Sequence, residues 1–155
     1  MKQIPLSVTE FLRIQGFVTV SSIDKNGFPH SSCKDIVKIE PGGKIYLIDA
    51  YHGETAENIK RNPRINISAV DEHKFMGYCL KGKARVMPDG QISQEFIKSW
   101  EKNITTRLAK RLLYNVSRDK SLAHHPEAIL PAPRHLIVIA VEEIVNLTPQ
   151  YLRKE

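Results

Sequence analysis

Most of this 155-residue chain carries the two-residue alternation of half-buried strands rather than a helical stripe. FVTVSSI, from Phe17 to Ile23, sets Phe17, Val18 and Val20 against Thr19 and Ser21. The DKNGFP stretch that follows holds Asn26-Gly27, a strong hairpin signal, so a second strand is predicted through HSSCKDIVKIE, His30 to Glu40. Pro41 to Gly43 make another turn before the apolar KIYLIDA. RINISAVD alternates Ile65, Ile67 and Ala69 with Asn66 and Ser68. GYCLKGKARVM continues with Tyr78, Leu80, Gly82 and Ala84 on one side, where small residues allow close backbone approach or a bend, and PDG at Pro88 to Gly90 ends it. Leu136 to Val141 form a continuous β-branched run, the mark of a strand buried on both faces. Six strands, mostly linked by hairpins, predict a closed or nearly closed antiparallel β-barrel.

Helical signals interrupt this pattern three times. Ser7 and Glu10 have the spacing of a capping box and open a short helix of one or two turns, which stops before Gly16. GETAENIKRNP predicts a second short helix with Thr55 as N-cap, Asn58 helping to close the box and Asn62-Pro63 as the stop. The third is longer. Ile92, Phe96, Trp100, Ile104, Leu108 and Leu112 recur every four residues, an amphipathic helix or helix pair whose apolar face is expected to cover an open end of the barrel. HHPEAILPAP then leads back, as a proline-stiffened loop, to the last strand. The whole chain, residues 1–155, reads as a single domain with a helical insertion over about 92–120.

Hydrophobic residues at 41% and charged residues at 26% are ordinary for a globular protein, and no stretch reaches the roughly 18 apolar residues of a membrane span. The first residues lack the pattern of a secretory signal, which makes cytoplasm the expected compartment. Cys33 and Cys79 form neither a zinc spacing nor a disulfide framework, and the adjacent His124 and His125 belong to no ligand set, so no metal is expected. The net charge is +6, and seven basic against three acidic residues lie between Gln91 and Lys120. That segment is either a solvated helix face or a surface for a polyanion such as nucleic acid; its two aromatic residues, Trp100 and Tyr114, are too far apart for a stacking platform, which argues against nucleic acid.

Two places could carry chemistry. The start of the GETAENIKRNP helix has free amides that suit an anion, with Gly53 allowing close approach and the Thr55 hydroxyl adding a donor, although a capped helix start also serves as a plain connector. Ser32 and Lys34 share one face of their strand and Ser31 and Cys33 the other. A hydroxyl and an ammonium on one face suit a phosphate, or else a solvated strand surface. No triad or carboxylate dyad can be assembled from the sequence, so any redox chemistry would belong to a bound cofactor and the catalytic residues stay unknown.

The order of these pieces from Gly16 to Val86 resembles the FMN-binding split-barrel family related to pyridoxamine 5′-phosphate oxidase. The matching motifs are the D-x-x-G-x-P turn at Asp24 to Pro29, the Ser-x-Lys strand at Ser32 and Lys34, the Thr-Ala-x-Asn-Ile helix at Thr55 to Ile59, Asn-Pro-Arg at Asn62 to Arg64 and Leu-Lys-Gly-x-Ala at Leu80 to Ala84. The resemblance is to the smaller members and not to the vitamin B6 oxidase, whose C-terminal arginine and histidine pattern has no match here. It implies a six-stranded split barrel and a homodimer with FMN at the subunit interface, with a deazaflavin or haem as the alternative cofactor. It also implies an oxidoreductase acting on an unknown small substrate, or a passive electron carrier. Ser32, Lys34, Thr55 and Asn58 would meet the phosphate and ribityl chain; Ser31, Cys33, Ile48, Asp49 and Ala50 would line the isoalloxazine through side chains or backbone. Glu54 and Glu57 stand where some members have basic residues, and Lys34 is expected to supply the compensating charge.

Overall fold

The computed structural model describes residues 1–50, 53–87, 90, 92–116, 133 and 135–153, and for 110–116 the backbone alone. Strands β1 (Phe17–Ile23), β2 (Pro29–Glu40), β3 (Lys44–Asp49), β4 (Arg64–Asp71), β5 (Met76–Val86) and β6 (His135–Asn146) close into an antiparallel barrel in the order β1-β2-β3-β6-β5-β4. Helices α1 (Leu6–Gln15), α2 (Glu54–Arg61) and α3 (Gln94–Val116) surround it. The expected residues Tyr51, His52, Pro88, Arg118, Lys120 and the HHPEAIL loop lie outside the described residues, as do the side chains of Lys110, Arg111, Leu112 and Tyr114.

The alternation of each strand sorts its side chains between the inside and the outside of the barrel. Val18, Val20, Ile45, Leu47, Ile67, Leu80, Ile137, Ile139 and Val141 fill the interior. α1 plugs one end with Val8, Phe11 and Leu12, and α2 closes the other with Ile59. β6 is buried on both sides as its β-branched run predicts: Ile137 and Ile139 face the interior, while Leu136 and Val138 pack outward with Trp100. Gly82 lies at a bulge of the β5–β6 pairing, where an added Cβ would stand 2.1 Å from the Ala140 carbonyl oxygen.

Local details depart from the sequence reading. α1 runs ten residues and starts after Pro5, so Ser7 sits inside the first turn and caps nothing. The β1–β2 connection is a five-residue loop rather than a two-residue turn: Asp24 Oδ1 accepts from the N–H groups of Asn26 (2.8 Å) and Phe28 (2.9 Å), and Gly27 takes a φ of 88°. α3 does not cover a barrel end. It lies on the outer wall, where Trp100, Ile92, Phe96 and Ile104 meet Ile48, Leu136 and Val138. Both ends are already closed by α1 and α2. No described helix is long and apolar enough to cross a membrane.

Candidate functional site

β2 carries Ser32 and Lys34 on its inward face, directly below α2. Ser32 Oγ lies 2.8 Å from Thr55 Oγ1, Lys34 Nζ donates to Asp49 Oδ1 at 2.8 Å, and Asn58 Nδ2 donates to Ser22 Oγ at 3.0 Å. Asp49 and Thr55 are 0% exposed, Asn58 1% and Lys34 7%. This is a layer of polar groups sealed between the barrel interior and α2, in which nearly every group is satisfied by a neighbour. Asp49 Oδ2 is the exception, with no hydrogen-bond partner among the described residues.

The structure thus brings together five of the predicted residues: Ser32, Lys34, Asp49, Thr55 and Asn58. It separates the other four. Ser31 and Cys33 are exposed on the outward face of β2, with Ser31 Oγ 3.4 Å from Ser21 Oγ. Ile48 is buried beneath α3, and Ala50 packs at the edge of the same apolar cluster. Asp49 points into the barrel while Ile48 points out, as a two-residue period demands, so their side chains lie on opposite faces of the sheet and only the backbone of β3 is common to both.

Two assignments need correction. Thr55 is not the N-cap: Gly53 occupies that position in extended conformation and α2 begins at Glu54, because the Thr55 hydroxyl is engaged by Ser32. Nor does Asn58 close a capping box; its amide reaches back to β1, and its oxygen accepts from Arg61 Nη2. Lys34 cannot supply free positive charge at the helix start, since its ammonium is committed to Asp49.

The open space lies at the start of α2, in a cavity of about 450 Å³ lined by Lys25, Asn26, Gly53, Glu54, Glu57, Arg61 and neighbouring residues. Sequence reasoning missed Lys25, Arg61 and Ser22. Ser22 could have been found as the hydroxyl following Val18 and Val20 on an otherwise apolar face. Arg61 is three residues after Asn58, the spacing that joins side chains on a helix. The carboxylates around the cavity are each engaged locally. Glu54 Oε2 is 3.3 Å from His30 Nδ1, and Glu57 Oε1 is 2.8 Å from Lys60 Nζ. The Lys60 ammonium, through that hydrogen bond and its charge, holds the Glu57 carboxyl below its usual range. Asp24 is held low chiefly by the Phe28 N–H. Helix-start amides, Lys25 and Arg61 offer donors in this cavity, beside the three carboxylates Asp24, Glu54 and Glu57 that also line it.

Among solved structures, HupZ from Group A Streptococcus superposes with a TM-score of 0.62 at 20% identity, covering 94% of each chain. The heme storage protein HutZ from Vibrio cholerae gives 0.54 at 14% identity, over 93% of this chain and 94% of its own. A structure described as F420 reductase gives 0.55 at 18% identity, over 92% of this chain and 98% of its own. At these identities the likeness is one of fold. No curated protein sequence matches the chain significantly. The family model described as pyridoxamine 5′-phosphate oxidase matches residues 5–147, from just before α1 to just past β6, and the chain therefore belongs to that family.

Proposed function

We propose that this protein binds FMN with its phosphate at the start of α2 and works as a homodimeric oxidoreductase on a small substrate. The observation that carries the reading is the Ser32–Thr55 hydroxyl pair. It pins the first turn of α2 onto β2, so that the free amides of that turn converge with Lys25 and Arg61 on one cavity. The helix dipole and these two cations favour an anion there. Arg61 takes the part that the sequence reading gave to Lys34. Ser32 and Thr55 act behind the cavity wall, positioning the helix, Asn58 lines the cavity beside Arg61, and Ser31 and Cys33 are the exposed residues left to meet the ring system. FMN supplies hydride transfer when bound, and the chain supplies anchoring and orientation.

Freshly purified protein is expected to show an oxidised-flavin spectrum and to release FMN on denaturation. Arg61→Ala should weaken FMN binding at least about tenfold by losing a charge-assisted contact, and Glu54→Gln should tighten it by removing a carboxylate from the rim. Reduction of the bound flavin by NAD(P)H distinguishes an enzyme from a passive carrier. The names of the F420 reductase and of HutZ make a deazaflavin and haem the competing occupants. Protein that takes up no FMN but gives a Soret band with haem rejects the proposal. Light scattering should give twice the chain mass.

A further inference from the structure

The described basic residues of α3, Lys98, Lys102 and Arg107, have no part in the α2 cavity. The first turns of α3 run beside β2 where that strand has outrun β1: pairing with β1 ends at Asp35, and the rest of β2 is paired to β3 alone. α3 fills the vacant flank. Ser99, Asn103 and Arg107, four residues apart and so on one helix face, donate to the Val37 carbonyl (3.1 Å), the Ile36 carbonyl (3.0 Å) and the Asp35 carboxylate (2.8 Å). A cavity of about 520 Å³ remains between this ladder and the end of α1.

The floor of that cavity is apolar, with Ile36, Val37 and Ile39, and its rim is cationic, with Arg13, Lys38, Lys102 and Arg107; among the described residues no acidic one lines it. Arg107 is paired with Asp35, and Lys38 has Glu40 at 3.5 Å. Arg13, on α1, and Lys102, on α3, have no acidic partner among the described residues. Cations gathered around one hollow repel one another unless an anion sits between them. The volume is that of a small-molecule pocket, and the α3 ladder holds its wall in place without any ligand.

We propose that this cavity is a second binding site, distinct from the one at α2, for a small organic anion: a phosphate or carboxylate head carried on a compact apolar body. The head would sit between Arg13 and Lys102, and the body on Ile36 and Ile39. This inference does not depend on which cofactor occupies the α2 site.

Calorimetric titration of the full chain with phenyl phosphate and with phenylacetate tests it, using benzyl alcohol and inorganic phosphate as partial ligands. At least one aromatic anion should bind, at least about tenfold more tightly than either partial ligand. Affinity should fall with added salt. The double variant Arg13→Ala/Lys102→Ala, two exposed side chains with no acidic partner to lose, should fold normally and weaken the aromatic anion at least about tenfold, whereas Arg61→Ala should leave it unchanged. Undiminished binding in the double variant, or loss in Arg61→Ala, overturns the proposal. So does equal affinity for inorganic phosphate, or no binding at all. Since FMN binding is read separately in the same variants, failure here leaves the flavin reading standing or falling by its own test.

Discussion

Lys34 and Asp49 show what a polar residue on a strand can become once a helix covers it. Both are taken out of water, and their 2.8 Å contact must offset two desolvation costs. Removing one partner leaves the other charge buried and alone. Lys34→Met should therefore lower unfolding stability by about 3–5 kcal/mol, while Lys34→Met/Asp49→Leu recovers most of the loss, as urea titrations would show. Asp24 makes a prediction of the opposite, exposed kind. Its carboxylate organises the β1–β2 loop by accepting backbone N–H groups, which lowers its folded pKa. That stabilisation is in place above the ordinary carboxylate pKa and is lost as pH falls through the lower folded value. Asp24→Asn should make the acid limb of the stability curve shallower by lowering stability near neutrality, with little change at low pH where the wild-type carboxyl is already protonated. At this scale the sequence was informative about pairing: the two-residue period correctly set Ser32 with Lys34 and Ser31 with Cys33. It could not say which pair faces inward, because both faces of this stretch are polar.

Among the elements, α2 and α3 moved furthest from their sequence reading. Their existence was legible from the Asn62-Pro63 stop and from the four-residue recurrence through Trp100. Their docking was not, since an apolar stripe specifies that a face is buried but not what it is buried against. α3 covers the outer wall because Leu136 and Val138 present a second apolar surface there and the free flank of β2 offers unpaired carbonyls. Asn103→Ala leaves the Ile36 carbonyl without that donor and should cost about 1 kcal/mol in thermal or urea unfolding. The N-cap of α2 shifted to Gly53 for a related reason: once Ser32 is beneath the helix, the Thr55 hydroxyl is satisfied from below and no longer available to cap.

For the whole molecule, closure of the barrel depends on a glycine that the sequence marked. An added methyl at Gly82 would meet the Ala140 carbonyl oxygen at 2.1 Å, a backbone atom held in the β5–β6 ladder, so it cannot swing aside as a flexible side chain would. Gly82→Ala should destabilise by about 3 kcal/mol, and urea titration would register it as a lower midpoint. Six strands and the barrel they form were readable because alternation is a local property and consecutive hairpins leave few ways to close a sheet, whereas the β3–β6 and β1–β4 pairings that complete it were set by the tertiary structure. The family motifs were readable for the same reason, each lying within one element or turn. The candidate site was readable only in part. Lys34 is neutralised by a residue fifteen positions away, and Lys25 reaches the α2 cavity, beside Arg61, only because the barrel brings the β1–β2 loop next to that helix. By itself the sequence determined which residues share a face and which segments form strands or helices, since these follow from backbone periodicity. The tertiary structure alone decided which polar groups cancel one another and which charges remain free around a cavity, because electrostatic partners are set by distance in space and not along the chain.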